Sequence, residues 1–211
     1  MIELYAITDN PGPPLPDVAP PLELVPIDGL AAVCTPAADA EVSAATLWRY
    51  EEVVEALMAD RDLLPVRYGT RLDDERAVAR AVNERRDELA AALDRVRGAV
   101  ELSVRVAAAG TEQASPAAPH TSSGAEYLRL RSRAKASRDR AARALHEPLS
   151  ALARASVEGR PRPPELFRAT YLVERDAVES FAEEVAGLQE ANAGLGILCT
   201  GPWPPYSFAE P

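Results

Sequence analysis

Apolar and polar positions alternate along this chain with two different periods, and the places where the period changes outline its elements. Residues 2–8, IELYAIT, alternate at period two and predict a strand; the proline-rich stretch 9–21 that follows accommodates no regular element. Two short apolar runs, 22–27 and 30–35, flank Asp28-Gly29, a dipeptide suited to the positive φ angles of a tight hairpin, so a small antiparallel sheet is expected here. Ser43 or Thr46 can cap a helix running to about Asp60, in which Leu47, Tyr50, Val54 and Leu57 recur at helical spacing while Glu51, Glu52 and Glu55 share the other face.

In LLPVRYGT at 63–70, Pro65 forbids a helix interior and extends the backbone before it, and Gly69 predicts a turn. Asp73 and Asp74 then open a single long helix over 74–97, with the stripe Val78, Val82, Leu89, Leu93 and Val96, and with Arg95 and Arg97 at the end the macrodipole favours. Gly98 stops it. VELSVRVA at 100–107 alternates as a half-buried strand, and 108–123, rich in Ala, Ser, Pro and Thr, reads as a flexible excursion.

The longest helical stretch runs from 124 to about 157. Pro148 lies inside it and predicts a kink or a break near Glu147, because an interior proline costs a helix about 3 kcal/mol. RPRPP at 160–164 ends any helix. LFRATYLV at 166–173 predicts a strand, Asp176 a helix cap, residues to about 190 a helix, and 195–200 the last strand.

The fold class is therefore α+β with two domains. Residues 1–98 form a small antiparallel sheet with helices. Residues 99–200, in the order strand, long Arg-rich helix, strand, helix, strand, are compatible with a ferredoxin-like split βαβ variant, and 201–211 form a tail.

Composition narrows the function. The net charge of −10 argues against a general nucleic-acid or anionic-membrane binder, both of which need positive surface. The sign is uneven: between 124 and 160 nine Arg and Lys face four acids. The face carrying Arg129, Arg131, Arg133 and Arg138 reads either as a solvated helix face or as a contact surface for an acidic partner; aromatic groups for stacking on nucleic acid are missing nearby. No apolar run approaches the roughly 18 residues that span a bilayer. Cys34 and Cys199, with no secretory leader before them, are expected to be small core residues in a reducing cytosol.

Catalytic signatures are absent. The chain has no Gly-rich phosphate loop, no C-x-x-C, no H-E-x-x-H and no G-x-S-x-G. Gly194 and Gly196 read as a helix C-cap, His120 as solvated, and His146 as a surface or helix-packing residue. Asp73, Asp74 and Glu75 sit where acids favour a helix start.

Two segments carry more information. LLPVRYGT at 63–70 and LCTGPWPPYSF at 198–208 resemble the two signature segments of the gas vesicle protein F/L family (GvpF/GvpL). The order of elements between them, including the helix that begins GAEYLRLRSR, is similar to that family over nearly the whole chain. Tyr68 stands where the family more often has Phe, Cys199 occupies a variable position, and Pro148 interrupts a helix that relatives tend to continue.

The resemblance implies a non-enzymatic accessory or minor structural protein of gas vesicles, the hollow protein shells that give buoyancy. Such a protein assists assembly by binding the hydrophobic main shell protein and other vesicle proteins, in the cytoplasm or at the vesicle. It implies no cofactor, metal, catalytic residue or small-molecule substrate. A small-molecule-binding regulatory module is the alternative, and a hydrolase using Cys199 a third reading.

The two motif segments are expected to meet. Leu64, Pro65, Val66, Arg67, Tyr68, Gly69 and Thr70 would face Thr200, Gly201, Pro202, Trp203, Pro204, Pro205, Tyr206 and Phe208. The tail then folds back on the N-terminal domain as a clasp that buries Trp203, Tyr206 and Phe208 near 65–69. Exposed Trp203 and Tyr206 would instead make the tail a partner-binding element.

Overall fold

A computed structural model of the chain describes residues 1–37, 43–109, 132, 140 and 142–209. The chain divides into two compact units, Met1–Glu101 with Pro202–Pro211, and Leu102–Gly201. Both combine an antiparallel sheet with helices, an α+β fold.

In the first unit, β1 (Ile2–Asp9) lies between β3 (Leu30–Pro36) and β4 (Leu63–Pro65), and β2 (Glu23–Ile27) pairs with the far side of β3. Asp28 and Gly29 join β2 to β3 with φ of 38° and 85°, the paired positive angles of a tight hairpin turn. Every residue of β3 from Leu30 to Thr35 is buried, so both faces of the sheet are covered.

Helix α1 (Ala44–Asp60) packs on β1 and β4. A reciprocal capping box starts it: the Ser43 side chain accepts from the Thr46 amide, and the Thr46 hydroxyl accepts from the Ser43 amide. Its buried residues are Tyr50, Val53, Val54, Leu57 and Met58. Leu47, predicted to face inward, is 43% exposed, because the inward face begins one turn later at Tyr50.

The single helix predicted over 74–97 is two helices, α2 (Glu75–Glu84) on β2 and β3, and α3 (Arg86–Val96) on β4. Asp74 caps α2 by accepting from the Ala77 amide at 2.8 Å. The break falls at Arg85, whose φ of −122° leaves the helical region. Arg86, next along, is tied to the β2–β3 hairpin: its Nε lies 3.0 Å from the Asp28 carbonyl and 3.1 Å from the Asp28 carboxylate. Val82 and Leu89 are seven residues apart, which keeps one continuous stripe in phase, so the pattern conceals the break. Gly98, at φ 71°, turns the chain out of α3 as expected.

The second unit carries a sheet in the order β7-β8-β6-β9, formed by β6 (Ala99–Ala108), β7 (Ala155–Glu158), β8 (Glu165–Glu174) and β9 (Leu195–Trp203). Helix α4, described over 142–151, and α5 (Val178–Ala191) supply Leu145, Leu149, Phe181 and Val185 to a core shared with Leu102, Val104, Val106, Phe167, Ala169 and Tyr171. With β7 included, the succession is β-α-β-β-α-β.

Three sequence expectations are corrected here. The helix predicted to reach 157 ends at residue 151, and residues 155–158 form β7, paired antiparallel with β8 from Ala155↔Leu172 to Glu158↔Ala169. That short edge strand was invisible because its apolar residues also fit the helical stripe. Of the kink or break expected near Glu147, the break does not occur: α4 passes through Pro148 and ends one turn later, which places fully buried Leu149 in the core. Asp176 caps nothing; it lies in a 3-10 turn (Arg175–Ala177), and α5 begins without a side-chain cap.

Candidate functional site

The segment 63–70 departs from regular strand geometry in a specific way. β4 pairs with one end of β1 (Ala6↔Pro65, Thr8↔Leu63), and β5 (Arg71–Leu72) pairs with the other end of the same strand edge (Glu3↔Arg71, Ile2↔Leu72). The Val66 amide still donates to the Tyr5 carbonyl at 2.9 Å, and the Leu4 amide to the Thr70 carbonyl at 3.0 Å. Arg67, Tyr68 and Gly69 are thereby pushed off the edge in a turn closed by Thr70 N–H to the Arg67 carbonyl at 3.1 Å. Gly69 at φ 79° supplies the positive angle that the third position of a type II turn requires.

Tyr50 of α1 holds this turn from below. Its hydroxyl donates to the Val66 carbonyl, with the Leu4 and Tyr5 carbonyls 3.2 and 3.3 Å away. Its ring stacks on Tyr5 at 4.8 Å and meets the Tyr68 ring edge-on at 5.2 Å. The Tyr68 hydroxyl donates to Thr46 Oγ1 at 2.7 Å, which ties the turn to the start of α1. Burial raises the Tyr5 phenol to about 12 and pushes Tyr50 higher still. Neither ionises near neutral pH.

The tail belongs to the same unit. β9 runs on to Trp203, three residues beyond the strand expected from sequence, so Gly201, Pro202 and Trp203 are strand rather than tail. Pro204 and Pro205 are buried, and Tyr206–Phe208 form a 3-10 turn. Phe208 is 7% exposed, and its carbonyl accepts from the Arg95 guanidinium at 3.2 Å. Ser207 bonds the buried carboxylate of Glu101, while the half-buried Tyr206 places its hydroxyl 3.3 Å from Glu51 of α1. Burial raises the carboxyls of both Glu51 and Glu101, opposed by these hydrogen bonds.

Tyr206 shares a cavity of about 530 Å³ with Leu64, Pro65, Val66, Arg67 and Tyr68, closed by Glu51 and by Leu89 of α3. The structure thus brings Tyr206 beside 64–68 and buries Phe208. It does not bury Trp203, which is 40% exposed: the ring belongs to a strand residue, ahead of the two prolines that turn the chain inward. Polar bonds to Glu51, Glu101 and Arg95, which no motif announced, hold the tail.

The remaining candidates are quickly placed. Arg129, Arg131, Arg133 and Arg138 lie outside the described residues, as does His120. His146 packs within the second unit, its Nδ1 2.9 Å from the Tyr171 hydroxyl. Cys34 is buried, its thiol raised to about 11 by burial, and Cys199 is half-buried against the second core with its thiol also raised, so neither is a ready thiolate. Among the described residues no three His, Cys, Asp or Glu side chains gather as a metal site.

Comparison with known proteins agrees with this architecture. The chain is 37% identical over 180 residues to gas vesicle protein L of Streptomyces sp. (strain CB03234), covering 76% of this chain and 67% of that protein. It is 28% identical over 176 residues to gas vesicle protein F2 of Halobacterium salinarum, covering 82% and 71%. Its fold superimposes on the crystal structure of the gas vesicle protein GvpF from Anabaena sp. PCC7120 with a TM-score of 0.83 at 21% identity, over 100% of this chain and 96% of that one. The match to the family described as gas vesicle synthesis protein GvpL/GvpF spans residues 3–210, and the chain belongs to that family.

Proposed function

We propose that this protein assists gas vesicle assembly by binding the hydrophobic main shell protein, and other vesicle components, in the cytoplasm or at the growing vesicle. Family membership supports the process. The observation that supports a binding mode is β9, which among the described residues lies at the edge of its sheet. At its start Gln189 covers the edge, its amide donating to the Leu195 carbonyl at 2.6 Å and its carbonyl accepting from the Ile197 amide at 2.7 Å. Past that cover Leu198 stands 53% exposed. An edge strand covered at its start, with an exposed leucine on the sheet face just beyond, suits addition of a strand from a partner that aggregates when unaccompanied. The net charge of −10 would keep such a complex soluble.

Co-purification with the main shell protein is the direct test. Retention by the wild type and loss on Leu198→Asp, with the fold intact by circular dichroism, is the expected result. A chain that neither retains the shell protein nor alters vesicle yield when its gene is deleted would overturn the reading. No helix among the described residues is long and apolar enough to cross a membrane. A small-molecule-binding role is favoured by a different observation, a polar-floored cavity in the first unit.

A further inference from the structure

Among the buried side-chain atoms of the first unit that lack a hydrogen-bond partner, two face each other. Glu3 Oε1 and Arg71 Nε lie 3.9 Å apart on the paired strands β1 and β5, too far for a hydrogen bond. Their side chains are only 13% and 28% exposed. A buried donor and acceptor left unmade cost free energy unless something else satisfies them. Both line a cavity of about 410 Å³ whose walls are Tyr5, Tyr50, Tyr68, Pro20 and Pro36. Arg49 of α1 also lines it, exposed and without a hydrogen bond or ion pair to any described residue.

The chemistry of a guest follows from these groups. Among the described residues that line the cavity, two guanidiniums against one carboxylate leave a local positive excess in a chain of net charge −10, which calls for an anion. Arg49 and Arg71 Nε supply donors for a carboxylate, the geometry guanidinium groups recognise best. Glu3 Oε1, alongside, needs a donor. An α-amino or α-amido carboxylate has both, a nitrogen–hydrogen donor one carbon away from the carboxylate group that supplies the acceptor oxygens. The aromatic and proline walls suit an apolar side chain attached to that same carbon.

We propose that this cavity binds an apolar α-amino-acid carboxylate, with the carboxylate on Arg49 and Arg71, its nitrogen on Glu3, and its side chain between Tyr68 and the prolines. Two sources share this chemistry, a free apolar amino acid and the C-terminal residue of a protein partner. The site does not depend on the assembly reading, and loss of either leaves the other standing.

Three probes test it: phenylalanine, N-acetyl-phenylalanine and N-acetyl-phenylalanine amide, titrated into the intact chain and followed by the ring resonances of Tyr5 and Tyr68. At least one of the two acids is expected to bind with Kd below about 1 mM, and the amide at least about tenfold more weakly. Preference for the acetylated acid assigns the site to a protein C-terminus, and preference for free phenylalanine to an amino acid; both support it. Arg49→Gln, at an exposed position, is expected to weaken binding about tenfold with the melting temperature unchanged. If no probe moves the tyrosine resonances, the cavity holds water alone; if the amide binds as well as the acids, or Arg49→Gln leaves affinity unchanged, carboxylate recognition is wrong.

Discussion

Ser207 donates two hydrogen bonds to the buried carboxylate of Glu101, from its backbone N–H to Oε2 at 2.7 Å and from its hydroxyl to Oε1 at 3.0 Å. Glu101 is 7% exposed, so this pair fixes the tail within the first unit by satisfying a carboxylate largely withdrawn from water. Glu101→Ala removes both acceptors, strands the Ser207 amide, and is expected to cost about 1–3 kcal/mol in chemical denaturation. Glu101→Gln keeps one acceptor, and its new N–H can donate to the Ser207 oxygen, so its cost should be smaller. Equal losses for the two variants would show that the tail does not depend on this pair.

Acid should stabilise the fold through two buried carboxyls, Glu51 and Glu101, rather than weaken it. Burial raises the carboxyls of Glu51 and Glu101 above the ordinary 4.5, against the hydrogen bonds from Tyr206 and Ser207 that lower them. A carboxyl raised on folding binds its proton more tightly in the folded chain; its stabilising contribution is therefore complete below 4.5 and is lost as pH rises through the folded value. Measured against the double variant Glu51→Gln/Glu101→Gln, the wild type is expected to gain stability as pH falls from neutral toward 4.5. Parallel stability curves over that window would refute the linkage.

Glu165 acts in the opposite sense. Hydrogen bonds from the Arg168 side chain and the Arg162 amide hold its carboxyl down at about 2. Its contribution is present above the ordinary value of 4.5 and is lost as pH falls toward 2, a loss that Arg168→Gln should reduce in acid titrations of stability.

Gly69 provides a test of backbone strain alone. A Cβ there would meet nothing within 4 Å, so Gly69→Ala carries no steric clash, only the cost of φ at 79°. That cost is about 1 kcal/mol, read as a shift in denaturation midpoint without a change in slope. Gly69→Asn should lose less, since Asn tolerates the left-handed region. A neutral Gly69→Ala would mean the turn opens freely.

The rings of Trp203 and Phe208 should differ sharply in what they contribute. Phe208, 7% exposed, is expected to lose about 3–5 kcal/mol on Phe208→Ala, whereas Trp203, 40% exposed, should lose far less on truncation. A larger loss at Trp203 would restore the indole as the anchor. Thermal unfolding of the two variants under one condition decides between them.

What the sequence by itself determined is what neighbouring residues decide among themselves. Asp28-Gly29 dictated the hairpin because few other dipeptides adopt two positive φ angles; Ser43 and Thr46 announced the start of α1, and Gly98 the end of α3. Alternation marked β1 and β6, and the two motif segments marked the family. Tertiary structure decided what needed a partner far along the chain. The helix breaks at Arg85 where Arg86 reaches the hairpin at Asp28, fifty-eight positions away. Residues 155–158 became β7 because β8 offered an open edge, although their apolar spacing also fitted a helix. Trp203 turned outward and Phe208 inward because β9 runs through one and two buried prolines redirect the chain before the other. Local preference acts within a few residues; burial and hydrogen-bond satisfaction are settled only when distant segments meet.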